Sequence, residues 1–314
     1  MTSVVVIGTG RMGPGIAAAF AAGGVPVRLV GRGAAQVAAG RDAFESALAM
    51  LARHGLVERA AADAAAARLE TATDLAAAAG AELVVEATPE VLEHKQAFFA
   101  DLERLAGDAA ILASNTSGLP VTRIAERTRR PERVVGTKFV IPAHLVPLVE
   151  VVKGERTSDA TLERTAEILR AVGKRPVIVR RDLPGFLQNR IQQAMRREAI
   201  SLVARGVASA EDVDAAIRWG FGFRLLGAGT FESMDLVGLE QLLRINEYIV
   251  PDLDRSAEAP ALLRDLVARG ETGARAGKGF LRWAPGQAEA TRERMDRILV
   301  EALKLVRRIE GETA

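Results

Sequence analysis

The sequence predicts an α/β chain in two parts: a doubly wound sheet with helices on both faces, then an all-α domain. Three observations carry this reading. A β-branched apolar run opens directly into a glycine turn and an alanine-rich helical stretch, further short apolar runs alternate with helical periodicity to about residue 181, and only helical patterning follows. With 314 residues, 49% hydrophobic and 26% charged, the chain can build two cores, so domains of 1–181 and 182–314 are expected.

Ser3 to Ile7 is the first strand, followed by Gly8-Thr9-Gly10-Arg11-Met12-Gly13 and a helix-favouring run from Ile16 to Ala22. Strand, glycine turn and helix in that order are the Rossmann-like arrangement for a dinucleotide. Gly8 permits the turn, Gly10 lets backbone approach a pyrophosphate, Gly13 lets helix pack on strand, and Arg11 and Met12 lie within the cradle. A second strand, Val25 to Val30, ends at Gly31 and Arg32, where an NAD enzyme presents an acid to the adenosine ribose. With no carboxylate to accept the 2′-hydroxyl and a guanidinium suited to a phosphate, NADP(H) is expected in preference to NAD(H), which remains possible.

From Ala34 to about Arg68 the chain reads as two crossover helices broken at His54-Gly55. Ala81 to Ala87 is the next buried strand, followed by Thr88-Pro89-Glu90 and a helix bearing Lys95, Phe98, Phe99 and Leu102. Ala110 to Ala113 leads into Ser114-Asn115-Thr116-Ser117. Such hydroxyls and amides at a strand's carboxyl end face the crevice where ligands bind, although the same residues also serve as a turn before a helix. Lys138, among Gly136, Thr137, Phe139 and Val140, ends one apolar run, and Glu150 lies in the next, beyond a turn at Pro142. The two can meet as neighbouring strand residues. An amine subject to both desolvation and a counter-charge suits acid-base catalysis, and a structural ion pair would look the same in sequence.

A helix near Ser158 to Ala171 and a strand at Pro176 to Val179 complete the first part. Asp182-Leu183-Pro184-Gly185-Phe186-Leu187-Gln188-Asn189-Arg190 leads into helices expected at Ile191 to Arg205, Val213 to Trp219 after a capping box at Ser209, Glu232 to Tyr248, and Thr291 to Arg308.

Composition excludes several classes. The absence of cysteine rules out disulfides, thiolate metal sites and a cysteine nucleophile, fits a cytoplasmic location, and no metal is expected. Lysine plus arginine number 42 against 40 acids, with arginine pairs scattered and no aromatic-basic stripe, so no nucleic acid is expected. There is no signal-peptide pattern and no apolar run of membrane length, so no membrane is expected either.

Gly136-Thr137-Lys138-Phe139-Val140-Ile141-Pro142 and Pro147-Leu148-Val149-Glu150-Val151-Val152 together resemble the catalytic segment of the 3-hydroxyacyl-CoA dehydrogenase family, GxHFxNP…PLVEVV. The resemblance continues through SNTS, DxPGFxxNR, GVASAEDVDAAI, DLVGLE and GKGF, covering nearly the whole chain. It implies that Lys138 stands at the family histidine, Glu150 at its glutamate partner, and Ile141 at the motif asparagine. It further implies that Ser117 and Asn189 hold the substrate oxygen, Asn115 lies near the nicotinamide, and Glu90 and Lys95 contact the cofactor. Gly229-Thr230-Phe231-Glu232 departs from the family's GPFE.

The activity so implied is hydride transfer between a nicotinamide and a carbonyl or secondary alcohol of a small hydroxy or keto compound, with Lys138 moving the proton. Apolar Phe139 and Ile141 would wall the substrate pocket and also admit a second chemistry, reduction of C=N as in an amine dehydrogenase or imine reductase. Loss of the histidine is equally how an inactive nucleotide-binding homologue would begin. The resemblance also implies a homodimer, formed through the helical domain.

Overall fold

The computed structural model describes residues 2–311, which divide into two compact units, one through Arg190 and the other Ile191–Gly311. The first is built on a single eight-stranded sheet in the order β3-β2-β1-β4-β5-β6-β7-β8. Its strands are β1 Val4–Ile7, β2 Val27–Val30, β3 Leu69–Ala72, β4 Leu83–Glu86, β5 Ile111–Ser114, β6 Val134–Phe139, β7 Leu148–Val152 and β8 Arg175–Val179. Strands β1 to β6 run parallel; β7 is antiparallel to β6 and parallel to β8. β1, β4 and β6 are buried along their whole length, as apolar strands covered on both faces must be.

The covering helices are α1 Gly13–Ala22, α2 Ala34–Arg53, α3 Arg59–Ala66, α4 Leu92–Ala106, α5 Val121–Ile124 and α6 Asp159–Ala171. Phe20 of α1 and Phe44 of α2 are fully buried, as are Phe99 and Leu102 of α4. Each such side chain contributes about 1.5–3 kcal/mol by leaving water. The second unit is mainly helical, with isolated β-bridges joining Gly273, Lys278 and Arg282. α7 Gln188–Ala204 enters it, followed by α8 Ala210–Trp219, α9 Phe221–Arg224, α10 Thr230–Val237, α11 Leu239–Ile249, α12 Ala261–Ala268 and α13 Gln287–Glu310. Ser209 caps α8 by accepting the Asp212 N–H, as its sequence indicates.

Two details differ from the sequence reading. The helix expected over Glu232 to Tyr248 is two helices, because Gly238 has φ 91° and breaks the ladder between α10 and α11. Strand β3 carries little apolar signal: of its four residues only Leu69 is buried, because it is the sheet's edge. Among the described residues, no helix is long and apolar enough to cross a membrane.

Candidate active site and coenzyme cleft

At the carboxyl end of β1 the chain reverses through Gly8, whose φ of 120° and whose Cβ position, 2.5 Å from the Ala87 carbonyl oxygen, exclude any side chain. A Cβ on Gly13 would lie 1.7 Å from the Gly8 carbonyl, whereas one on Gly10 would meet nothing within 4 Å. Gly8 and Gly13 are thus fixed by the turn itself, and Gly10 leaves an open approach to backbone. Helix α1 begins there with no side chain capping its first turn, so its N–H groups remain available to an anion. The adjoining cleft, about 950 Å³, is lined by the Gly8–Met12 turn, Arg32, Gln36, Thr88 and Phe98 among others. Its open glycine and uncapped helix end fit a dinucleotide.

One wall of this cleft stands on a buried charge cluster. Lys95, with no exposed surface, donates to both oxygens of Glu86 at 2.7 and 2.8 Å. Glu86 ends β4 and also accepts from the Ser114 hydroxyl at 2.6 Å and the Thr88 N–H at 2.6 Å. A buried carboxylate needs such a set, since desolvation of an unpaired charge costs several kcal/mol. Glu90 sits 3.5 Å from the same lysine and accepts from the Thr116 hydroxyl at 2.6 Å and from the Ser117 N–H at 2.8 Å. Burial alone would raise the Glu90 carboxyl; the hydrogen bonds from Thr116 and Ser117 and the Lys95 charge outweigh it and hold it below the usual carboxylate range.

At the end of β6, Lys138 lies directly across from Glu150 of β7 in the antiparallel register. Its Nζ donates to Glu150 Oε2 and to Gln188 Oε1, each at 2.7 Å. The other carboxylate oxygen, Oε1, accepts the backbone N–H groups of Leu187 and Gln188 at 2.8 and 3.0 Å. Lys138 is 6% exposed and Glu150 1%. Asn115 Oδ1 accepts the Phe139 N–H at 3.0 Å, joining the β5 turn to β6. Asn189 donates to the Ser117 carbonyl at 2.8 Å, so the same turn is tied to the start of α7. The Ser117 hydroxyl donates to Glu90 Oε1 at 3.0 Å. Lys138, Glu150, Ser117, Asn115 and Asn189 are therefore joined through a continuous set of strand pairings and hydrogen bonds.

Phe139 is a correction. Successive strand residues face opposite sides, so with Lys138 turned toward Glu150 the Phe139 ring turns into the core, 4% exposed and edge-on to Phe20 at 6.2 Å. It is not a pocket wall. Ile141 is open, at 42% exposed. The segment carrying it is fastened from below by Lys174, which donates to the Ala143 carbonyl at 2.6 Å and the Val146 carbonyl at 2.9 Å. Asp182, not the SNTS hydroxyls, supplies the acceptor for α5, taking the Thr122 N–H at 2.7 Å.

Sequence reasoning missed Glu86, Gln188 and Lys174. Glu86 was findable: a carboxylate ending an otherwise apolar buried strand must have a partner, and Lys95 stands nine positions on.

With this geometry in hand, the comparisons with known proteins converge. Residues 3–183 match the family described as 3-hydroxyacyl-CoA dehydrogenase, NAD binding domain, and residues 185–283 match its C-terminal domain. The chain is 32% identical over 305 residues to the 5-formyl-3-hydroxy-2-methylpyridine 4-carboxylate 5-dehydrogenase of Mesorhizobium japonicum, covering 97% of this chain and 98% of that protein. It is 36% identical over 288 residues to the mitochondrial hydroxyacyl-coenzyme A dehydrogenase of Homo sapiens, covering 89% and 90% respectively. A crystal structure of the pyridine-carboxylate dehydrogenase, described as an NAD+ dependent dismutase, matches with a TM-score of 0.90 at 31% identity, covering 98% of this chain and 99% of that one. A diketoreductase acting on dicarbonyl compounds matches with a TM-score of 0.71 at 27% identity, covering 90% and 99%. An NAD-binding domain joined to a matching C-terminal domain, in relatives that are dehydrogenases, makes this chain an NAD-dependent oxidoreductase belonging to the 3-hydroxyacyl-CoA dehydrogenase family.

Proposed function

We propose that this chain interconverts a carbonyl and a secondary alcohol on a small hydroxy or keto compound, with Lys138 moving the proton. The observation that carries the reading is the buried Lys138 Nζ, held by two oxygens and left with a third N–H. Gly8, Gly10, Arg11, Met12 and Gly13 hold the dinucleotide, with Asn115 near its nicotinamide end; Lys95 acts through Glu86 and Glu90. The bound nicotinamide supplies the hydride in reduction and accepts it in oxidation. In the reductive direction Lys138 gives a proton to the oxygen as its double bond to carbon becomes single, and is then reprotonated from water. In oxidation a neutral Lys138 takes the alcohol proton. Glu150 orients the Lys138 amine, while Asn189 and Ser117 hold the reacting oxygen. Ser117 reaches it by turning its hydroxyl from Glu90.

The substrate in this reading is small and carries no coenzyme A. Support comes from the dehydrogenase of a pyridine carboxylate, which is alike over nearly the full length of both chains. The family's NAD-binding domain and an NAD+ dependent relative support NAD(H) as a coenzyme; the finer part of this reading, a preference for NADP(H), rests only on Arg32, exposed at the end of β2, and on the first turn of α2, which carries no acid. In this reading the protein works as a homodimer, with Trp219, Phe223, Phe231 and Leu236 of the helical unit, 69%, 71%, 80% and 83% exposed, offering apolar surface to a second copy. A cysteine-free chain suits the reducing cytoplasm.

C=N reduction is the second reading, favoured by the open apolar Ile141 three residues after Lys138; against it, an ammonium held by two acceptors repels an iminium. The test is coenzyme consumption with hydrophobic ketones, β-keto acids and acetoacetyl-CoA, with and without ammonia, identifying the products. Alcohol is expected in every productive case, and Lys138→Met is expected to lose about 10²–10⁴-fold in turnover. Amine as the product would replace the carbonyl reading with the C=N one. Full turnover by Lys138→Met would remove the lysine from the mechanism, and intact coenzyme binding with no turnover across the panel would mark an inactive homologue.

A further inference from the structure

We propose that Gln188 is a positioning residue for the Lys138 ammonium, fixing it jointly with Glu150 so that one N–H is left for the reacting oxygen; this rests on the reading of Lys138 as proton donor. An ammonium has three donors and no acceptor, and it rotates freely at the end of a flexible stem. One acceptor leaves its remaining protons to sweep a cone. Two acceptors, each 2.7 Å from Nζ, set the direction of the third N–H. The partner's chemistry also fixes which end of the amide faces inward, because a lysine can only donate and must therefore meet the Gln188 oxygen.

Gln188 is itself held by the group it helps. Its backbone N–H donates to Glu150 Oε1, while its side-chain oxygen receives from the lysine that binds Glu150 Oε2. Lys138, Glu150 and Gln188 thus form a closed ring of hydrogen bonds. The chain reaches this ring by a forced turn. Gly185 has φ 80° and Phe186, with a side chain, has φ 53°. A left-handed phenylalanine is strained, and its ring, 1% exposed, is locked into the hydrophobic core that holds the turn in place. The turn points two successive N–H groups, of Leu187 and Gln188, at one carboxylate oxygen. As a neutral amide, Gln188 supplies the second acceptor without adding a second negative charge beside Glu150.

Two readouts test this. In protein labelled with 15N-lysine, the Lys138 ammonium should give a slowly exchanging NH3+ resonance, identified by its loss in Lys138→Met. Gln188→Met, similar in shape but without the acceptor, should speed exchange and broaden that resonance, Gln188→Asn should do likewise because its amide falls short, and Gln188→Glu should restore it. In kinetics with ethyl acetoacetate and NADPH, Gln188→Met should lower kcat about tenfold to a hundredfold and raise the solvent deuterium isotope effect, with KM and the coenzyme Kd little changed. Because Gln188 acts only through the lysine, Lys138→Met/Gln188→Met should be no slower than Lys138→Met alone. A sharp Lys138 resonance in both Gln188→Met and Gln188→Asn, or a double variant slower by the full product of the single effects, would overturn the proposal while leaving Lys138 in place. Full activity of Lys138→Met would instead remove the reading beneath it.

Discussion

Glu150 faces Lys138 across the β6–β7 pair and, through its other oxygen, holds the backbone N–H groups of Leu187 and Gln188. One carboxylate therefore orients the lysine and fixes the start of α7. Its two roles are separable by substitution. Glu150→Ala leaves a buried ammonium without its counter-charge and two N–H groups without an acceptor, and should lose about 3–5 kcal/mol of stability along with activity. Glu150→Gln keeps an oxygen for the N–H groups, so it should lose less stability and still lose activity. Urea unfolding of the two variants beside steady-state rates separates the roles, and equal loss of stability would refute the division.

The glycine turn makes a sharper contrast. Gly13→Ala drives a methyl group into the Gly8 carbonyl and should abolish coenzyme binding by distorting the turn, whereas Gly10→Ala has room and should fold normally. A Gly10 methyl stands on the open approach side, so coenzyme binding should weaken without loss of stability. Circular dichroism melts and a fluorescence titration with NADPH check both variants.

Coenzyme preference should turn on Arg32. Arg32→Asp places a carboxylate where a ribose 2′-hydroxyl would be accepted and a 2′-phosphate repelled. The ratio of kcat/KM for NADPH over NADH should fall by about tenfold to a hundredfold, the worth of one charge-assisted hydrogen bond. An unchanged ratio would take Arg32 out of coenzyme choice.

His144 gives the fold a pH dependence. Burial, together with the nearby Lys174 charge, lowers its pKa from the ordinary histidine value of 6.5 to about 4. Between those values the unfolded chain binds more protons than the folded one, so this contribution to stability is complete above about pH 6.5 and is lost progressively as pH falls to 4. His144→Leu should flatten the urea midpoint across that window. A variant whose midpoint still fell as steeply as that of the parent protein would assign the loss to other groups.

Much of this was legible in the sequence, and the reasons are physical. The Lys138–Glu150 meeting is local: twelve positions with a proline turn between two apolar runs leave an antiparallel pair as the natural packing. Gln188 was not legible, because its contact with Lys138 spans fifty positions and depends on a left-handed turn that apolar periodicity does not encode. Phe139 was misread for the opposite reason. An aromatic next to a reactive residue looks like a pocket wall in a linear string, but in a strand the neighbour always faces away. Lys95 and Glu86 show a third case, where helix and strand each look ordinary and only the demand for a buried counter-ion joins them.

The grip of Lys174 on the Ala143 and Val146 carbonyls bears on how the substrate is met. Ordering a loop costs conformational entropy, and that cost falls either on folding or on each binding event. Here two hydrogen bonds made as the chain folds meet part of it, so on the proposed reading of Ile141 as a pocket wall, that wall would stand before a guest arrives. Affinity for small substrates is then not taxed by loop closure. Discrimination among them would then be a matter of rigid shape, with bulky groups refused instead of accommodated by movement.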